Sequence, residues 1–339
     1  MIERTRFIMR LHGSVAYHMN ENCSTPKPRH RPGKSRIELP IRFTVEGILK
    51  FITYEYENTI QPGVVWEDRV TEISSVGTDL LSIIEQGAVG LTAVTSLLQR
   101  VRGGILLENV RLLAPIPRPH RNLMCLGLNY AEHAEESYTA QGREVKLPEV
   151  PIVFTKATTT VIGPYDPIPF DAAVSDHIDW EVELAVVIGR EGKNIPEAEA
   201  MDYVFGYTVI NDVSARDLQR QGKQFFKGKS LDGSCPMGPW IVTRDEVPDP
   251  HALRVTSRVN GETKQDANTD IMIFTIPAII AYLSRGMTLL PGDIISTGTP
   301  SGVGFARTPP EYLRPGDVVE CEVERVGTIR NEVDSTSVR

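Results

Sequence analysis

Cysteine is scarce in this 339-residue chain: there are four, Cys23, Cys125, Cys235 and Cys321, with no CxxC pair among them. No signal-peptide pattern accompanies them. A disulfide-stapled secreted scaffold is therefore set aside in favour of reduced thiols in an intracellular protein. Long apolar runs are missing too. None approaches the roughly 18 residues a membrane helix requires, so no membrane partner is expected. Positive charge is in deficit, with 36 Lys and Arg against 44 Asp and Glu, a net charge of −8. Binding nucleic acid takes clustered Lys and Arg, which argues against that partner as well. What remains is ordinary for a globular protein, 41% hydrophobic and 24% charged. The length suits one large domain or two smaller ones.

The start of the chain departs from this balance. Arg4, Arg6 and Arg10 lie near the N-terminus, and five basic residues with two prolines and no acid fall between Lys27 and Arg36. A mitochondrial presequence is Arg-rich and acid-poor, but Glu3 and Glu21 run against that reading. Residues 1–40 are expected to be a basic N-terminal extension. The expected compartment is the cytoplasm, with the mitochondrion as the alternative.

Residues 41–118 read as a small mixed α/β module. "RFTVEGILKFITYEY" suggests a strand pair with Gly47 at or near the turn, "DLLSIIEQG" a helix with a glycine stop, and "GLTAVTSLLQRV" a second helix. "LLAPIPRPH" carries three prolines and reads as a linker. From residue 119 to 335 the texture becomes short β-type runs, among them "LMCLGL", "ELAVVIG", "VFGYTVIND" and "DVVECEVERVG". Only "NYAEHAEESYTAQ", "SARDLQRQ" and "FTIPAIIAYLSRG" look helical there. "PGD" occurs at 291–293 and 315–317, where proline followed by glycine fits type II turns. The predicted class is α+β and β-rich, without the regular alternation of a doubly wound sheet.

One stretch asks for a chemical explanation. "DHIDWEVELAVVIGR" places Glu181 and Glu183 one residue apart at the mouth of an apolar strand. Residues i and i+2 of a strand share a face, roughly 7 Å apart, and like charges entering a core repel. A divalent cation turns that repulsion into attraction. An all-oxygen set suits Mg2+, Mn2+ or Ca2+ better than zinc. Asp212, closing the next strongly β-patterned run, is the best candidate for a third acid. Taken alone, an ExE pair fits solvated charges on an exposed sheet face better.

The pair is not alone. "LMCLGLNYAEHAEE", "PIVFTKATTTVIGP", "DWEVELAVVIGR", "VFGYTVINDVSARDLQ", "FFKGKSLDGSCPMGPWIV" and "GDIISTGTPSGVG", in this order, resemble successive signatures of the fumarylacetoacetate hydrolase superfamily. The 41–118 module is similar, more weakly, to that of two-part members. The resemblance implies a catalytic domain of mixed β-sandwich or roll type and makes Glu181, Glu183 and Asp212 ligands of Mg2+ or Mn2+. It assigns His133 and Glu136 to a catalytic dyad, Lys229 to the oxyanion, and Arg216, Gln219 and Thr299 to substrate binding. The types suit these roles, since arginine forks onto a carboxylate and a carboxylate orients an imidazole. Members with the fullest metal shell carry an aspartate where this chain has Leu126, so fumarylacetoacetate itself is a doubtful substrate.

The function implied is a Mg2+-dependent hydrolase that cleaves a carbon–carbon bond in an acylpyruvate-type 2,4-dioxo acid through a metal-stabilised enolate. Decarboxylation of an oxaloacetate-like acid, and isomerisation or hydration of unsaturated 2-hydroxy diacids, are alternatives that use the same enolate. A small oxo acid is the expected ligand and a homodimer the expected assembly. A non-catalytic oxo-acid binder is a remoter reading. "HID" at 177–179 with His251 would fit the facial triad of an iron dioxygenase, but leaves Glu181, Glu183 and the His133 helix unexplained. "GKS" at 228–230 lacks the earlier glycine of a phosphate loop, because Lys223 stands there.

Overall fold

The computed structural model describes residues 49–101 and 103–335. The basic extension and the first half of the predicted 42–56 strand pair lie outside them. The described chain opens on a meander of β1 (Lys50–Tyr56), β2 (Thr59–Trp66) and β3 (Arg69–Glu72). Among the described residues, β1 pairs along its whole length with the strand that follows it. Glu57 and Asn58, both at positive φ (49° and 61°), make the two-residue turn between them, a geometry that matches strand twist.

Helices α1 (Leu80–Glu85) and α2 (Ala88–Arg100) come next, separated by Gly87 at φ 56°. Asp79 caps α1, its Oδ1 accepting the Ser82 N–H at 2.8 Å. The proline-rich span after residue 111 is packed rather than loose. Leu112, Ala114 and Ile116 are buried, and Thr53 Oγ1 donates to the Pro115 carbonyl at 2.7 Å.

β4 (Leu123–Gly127), α3 (Ala131–Ala140), β5 (Ile152–Lys156), β6 (Val182–Ile188) and β7 (Val204–Asn211) lead to two short helices, α4 (Arg216–Gln221) and α5 (Phe226–Lys229). Then follow β8 (Cys235–Thr243), β9 (Arg254–Val259), β10 (Glu262–Asn268), α6 (Ile276–Ser284), β11 (Ile294–Ser296), β12 (Val318–Val323) and β13 (Gly327–Ser335). One large sheet runs β3-β2-β1-β8-β7-β6-β11-β4-β5, so the meander continues the sheet of the later strands through β1 and β8. A five-stranded sheet holds β10, β9, β12 and β13 with a short strand at Ile168–Phe170. Both PGD segments are turns of the expected kind: Gly292 and Gly316 have φ of 84° and 90°, and the Asp N–H closes each turn onto Leu290 or Arg314.

The pleat of β6 divides the core. Val182, Leu184, Val186 and Ile188 face the second sheet and α6, packing with Val255, Val323 and Ile280. Ala185 and Val187 face the other way, toward Ile83, Ile84 and Val94 of α1 and α2. By the period of two, Glu181 and Glu183 share the face of Ala185 and Val187. This is an α+β fold dominated by strands, as the sequence pattern predicts.

Candidate active site

Register brings the three acids together. β6 and β7 are antiparallel with Val182 opposite Asn211 and Glu183 opposite Ile210, and the Asp212 N–H donates to the Glu181 carbonyl at 2.8 Å. The carboxylates of Glu181, Glu183 and Asp212, all buried, come within 4.8 Å of one another. No other His, Cys, Asp or Glu trio among the described residues does so.

Buried cations surround this cluster. Lys229 Nζ donates to Glu181 Oε2 at 2.6 Å and to Asp212 Oδ2 at 2.8 Å. Lys156 Nζ lies 2.7 Å from Asp212 Oδ1, an ion pair without hydrogen-bond alignment, and donates to the Val213 carbonyl at 3.1 Å. Arg216 reaches Glu181 Oε1 through Nη1 at 2.7 Å and Asp179 Oδ2 through Nε at 2.8 Å. Gly228 makes the placement of Lys229 possible. A Cβ there would meet Gln219 N at 2.5 Å and Ala215 O at 2.7 Å, so only glycine lets α5 lie against α4.

These neighbours separate the two glutamates. Burial pushes the Glu181 carboxyl up, but Lys229, Arg216 and His133 outweigh it and hold it at about 2. Glu183 goes the other way. Burial, followed by repulsion from Asp212 and Glu181, raises it well above the usual carboxylate range, although Ser296 Oγ (2.5 Å) and Gly298 N–H (2.9 Å) donate to it. Burial pulls Lys229 down, yet Asp212 and Glu181 prevail and its ammonium is favoured.

The two residues expected to form a dyad are in contact. On α3, His133 Nδ1 and Glu136 Oε1 are 2.8 Å apart, and Glu136 Oε2 accepts the Gly302 N–H at 2.9 Å. Gly302 sits at φ 103°, and a Cβ would strike the Lys264 carbonyl at 2.1 Å. His133 lines the same cavity as Glu181, Glu183, Arg216 and Lys229, a space of about 520 Å³. Leu126 lines it too, at the position where an aspartate would have enlarged the acidic set.

The remaining predicted residues are placed as follows. Gln219 lines the cavity and accepts Arg216 Nη1 through Oε1 at 3.1 Å, which leaves its amide N–H groups free to donate. Arg216 Nη2 is buried with no partner. Thr299 also lines the cavity, but its hydroxyl proton goes to the Val182 carbonyl at 2.9 Å, while it accepts from Gln265 Nε2 at 2.7 Å. The dioxygenase alternative fails here. Asp179 is fully buried, bound to Arg216 and to the N–H groups of Gly304 (2.7 Å) and Phe305 (3.0 Å). His251 Nε2 instead accepts the Ile276 N–H at 3.0 Å, at the start of α6.

Sequence reasoning missed the roles of two contributors, Lys156, which it did not single out, and Asp179, which it read only within the dioxygenase alternative. Each offered a signal, a lone lysine ending the apolar run "PIVFTK" and a third acid just ahead of the ExE pair.

The donor set tests well against a hard divalent cation. It is all carboxylate and buried, and burial together with repulsion among its members raises the Glu183 carboxyl well above its ordinary range. The fold and site thus define a class: a β-rich α+β domain whose cleft sets a buried carboxylate trio that could hold a metal ion near a His–Glu pair. The chain belongs to the fumarylacetoacetate hydrolase family, its residues 122–334 matching "Fumarylacetoacetate (FAA) hydrolase C-terminal". It is 41% identical over 304 residues to oxaloacetate tautomerase YisK of Bacillus subtilis (strain 168), covering 84% of this chain and 100% of that one. It is 44% identical over 278 residues to the mitochondrial oxaloacetate tautomerase Fahd2a of Rattus norvegicus, covering 82% and 86%. Among solved structures, maleylpyruvate hydrolase from Sphingobium sp. SYK-6, in complex with manganese(II) and pyruvate, superposes with a TM-score of 0.69 at 28% identity, covering 85% and 100%. Its relatives in the family are enzymes, and they include mitochondrial ones. No helix among the described residues is long and apolar enough to cross a membrane.

Proposed function

We propose that the chain is a divalent-cation-dependent tautomerase that interconverts the keto and enol forms of oxaloacetate or a close 2-oxo diacid. One observation carries the reading: two acids of the carboxylate trio, a buried histidine backed by Glu136, and a buried arginine with a free N–H group converge on one cavity. The names of the two relatives, both oxaloacetate tautomerases, support tautomerisation among the enolate reactions. Glu181, Glu183 and Asp212 would hold Mg2+ or Mn2+, which when bound supplies Lewis-acid polarisation of the oxo acid's oxygens.

The chain's own groups do the rest. Arg216 Nη2 donates to the substrate carboxylate, and the free amide of Gln219 donates beside it. Glu136 accepts from His133 Nδ1–H and so fixes the tautomer in which Nε2 carries the lone pair. That nitrogen takes a proton from the carbon next to the 2-oxo group and returns it to oxygen. The Lys229 ammonium, already committed to two carboxylates, supplies fixed positive charge beside the developing oxyanion.

Carbon–carbon hydrolysis of an acylpyruvate is the second reading, favoured by the likeness to maleylpyruvate hydrolase. It would use the same dyad to activate water. A homodimer and a cytoplasmic location, with the mitochondrion as alternative, complete the proposal. Loss of enol absorbance from fresh oxaloacetate, set beside pyruvate release from a panel of acylpyruvates, separates the two reactions. Metal-loaded protein that accelerates neither would end both readings. Light scattering that shows a monomer at micromolar concentration would remove the dimer.

A further inference from the structure

The cavity has two tiers of positive charge. In the inner tier every cation is answered: Lys229 by Glu181 and Asp212, and Arg216 by Asp179 and Glu181. The outer tier is different. Arg143, Arg220 and Lys223 line the same cavity near its mouth, all three exposed, and none is in an ion pair among the described residues. In a chain of net charge −8, three unanswered cations at one opening need a reason.

Arg220 is the best placed of the three. It lies four residues beyond Arg216 on α4, hence on the same face of the helix. The Arg220 guanidinium carbon is 5.1 Å from the centroid of the buried Phe305 ring, and that of Arg216 is 4.5 Å from the same ring. Phe305 is itself fixed by its backbone N–H on Asp179. The ring therefore orients two guanidinium groups toward one cavity, one neutralised and one free. Lys223 lacks such a platform, and Arg143 lies over Tyr138, a cavity-lining ring that is only half-buried, and donates to Gln141.

We infer that Arg220 is a specificity-determining residue, which selects a 2-oxo acid carrying a second carboxylate distal to the one bound in the inner tier. This rests on the 2-oxo diacid reading above and deepens it, by naming the residue that tells the diacid from a monocarboxylic 2-oxo acid. The inner tier recognises the carboxylate and oxo oxygens common to every 2-oxo acid and cannot tell one from another. Arg220 adds the discriminating contact, a charge-assisted bond made only if the far end of the ligand is anionic. Arg143 and Lys223 add field at the mouth, which draws dianions in.

The test uses a matched pair of five-carbon ligands, 2-oxoglutarate and 2-oxovalerate, which differ in the distal carboxylate alone. Affinities for the Mn2+-loaded full chain are measured by calorimetry, for wild type and Arg220→Gln. The expected result is a tenfold or greater preference of wild type for the diacid, falling to about twofold or less in the variant. Oxalate, too short to reach Arg220, should bind both proteins within about threefold. Wild type that binds the pair equally, or binds neither, overturns the inference, as does a variant that keeps the preference or loses oxalate in the same proportion. Arg220 is exposed, so the variant should fold, and its circular dichroism checks that. Neither ligand need be turned over. A protein that shows the preference but leaves oxaloacetate untouched would end the tautomerase reading and leave Arg220 in its role.

Discussion

Lys229 donates to Glu181 across 2.6 Å, and both side chains are almost fully withdrawn from solvent. The same ammonium reaches Asp212, so one lysine touches two of the three acids proposed as cation ligands. The cluster is a mixed-charge centre, with Asp179, Glu181, Glu183 and Asp212 set against Lys156, Lys229 and Arg216. Removing one partner from such a network leaves a buried charge uncompensated. Lys229→Met should therefore unfold more readily than wild type, by about 3 kcal/mol in chemical denaturation. A variant of unchanged stability would show that solvent or another cation replaces the ammonium at no cost.

Chelation should abolish turnover of oxaloacetate, and Mg2+ or Mn2+ should restore it. Glu183→Gln should weaken Mn2+ binding by at least about tenfold, read by electron paramagnetic resonance of free Mn2+, because it removes one anionic ligand. Full activity in excess chelator would remove the cation from the mechanism.

His133→Ala should lower the rate by about 10² to 10⁴, the usual loss for a general base, with Mn2+ affinity retained. Glu136→Gln should fall between wild type and His133→Ala, since it still accepts at Nδ1 without the charge that stabilises imidazolium. A His133→Ala protein within a few-fold of wild type would exclude the dyad.

The raised Glu183 carboxyl gives a pH signature. Its folded-state proton affinity exceeds that of the unfolded chain, so in cation-free protein the folded state binds more protons in the window above the ordinary carboxylate range. Stability is then present at low pH and falls as pH rises through that window. A bound cation must displace the proton, so the gain in Tm on adding Mg2+ should grow from pH 5 to pH 8. A gain independent of pH would show that Glu183 is already ionised.

Asp179→Asn should cost about 3 kcal/mol and reduce turnover as well, because it releases Arg216 Nε and weakens the hold on Gly304 and Phe305. Thermal unfolding and kcat/KM, measured on the same preparation, check both effects. Lost activity at unchanged Tm would mean that Asp179 positions Arg216 without supporting the fold.

Local patterns carried far in this chain because the pleat is regular. Alternation along "EVELAVVI" put Glu181 and Glu183 on one face, and helical spacing put His133 beside Glu136, both as the structure has them. Contacts between distant segments were not legible. Lys156 meets Asp212 across 56 positions although three strands stand between β5 and β7 in the sheet, and Asp179 meets Phe305 through a loop whose path no periodicity encodes. Composition misled at "LLAPIPRPH", where prolines suggested a linker but Leu112, Ala114 and Ile116 pack into the core. The reach of β1 to β8 depends on a pairing that sequence neighbours do not announce.

The loop from Ser301 to Phe305 is fastened at both ends of the chemistry, by Glu136 at Gly302 and by Asp179 at Gly304 and Phe305. Only Val303 separates its two glycines, and a Cβ on Gly304 would overlap the Glu311 carbonyl at 2.2 Å. A segment held in that way has no slack. Lengthening it by even one residue would move the proton-transfer pair away from the carboxylate cluster, whereas length changes at exposed turns such as Glu57–Asn58 would disturb neither. Lineages that alter the substrate should therefore vary around the rim, in residues such as Arg143, Arg220 and Lys223, while this short strap keeps its length.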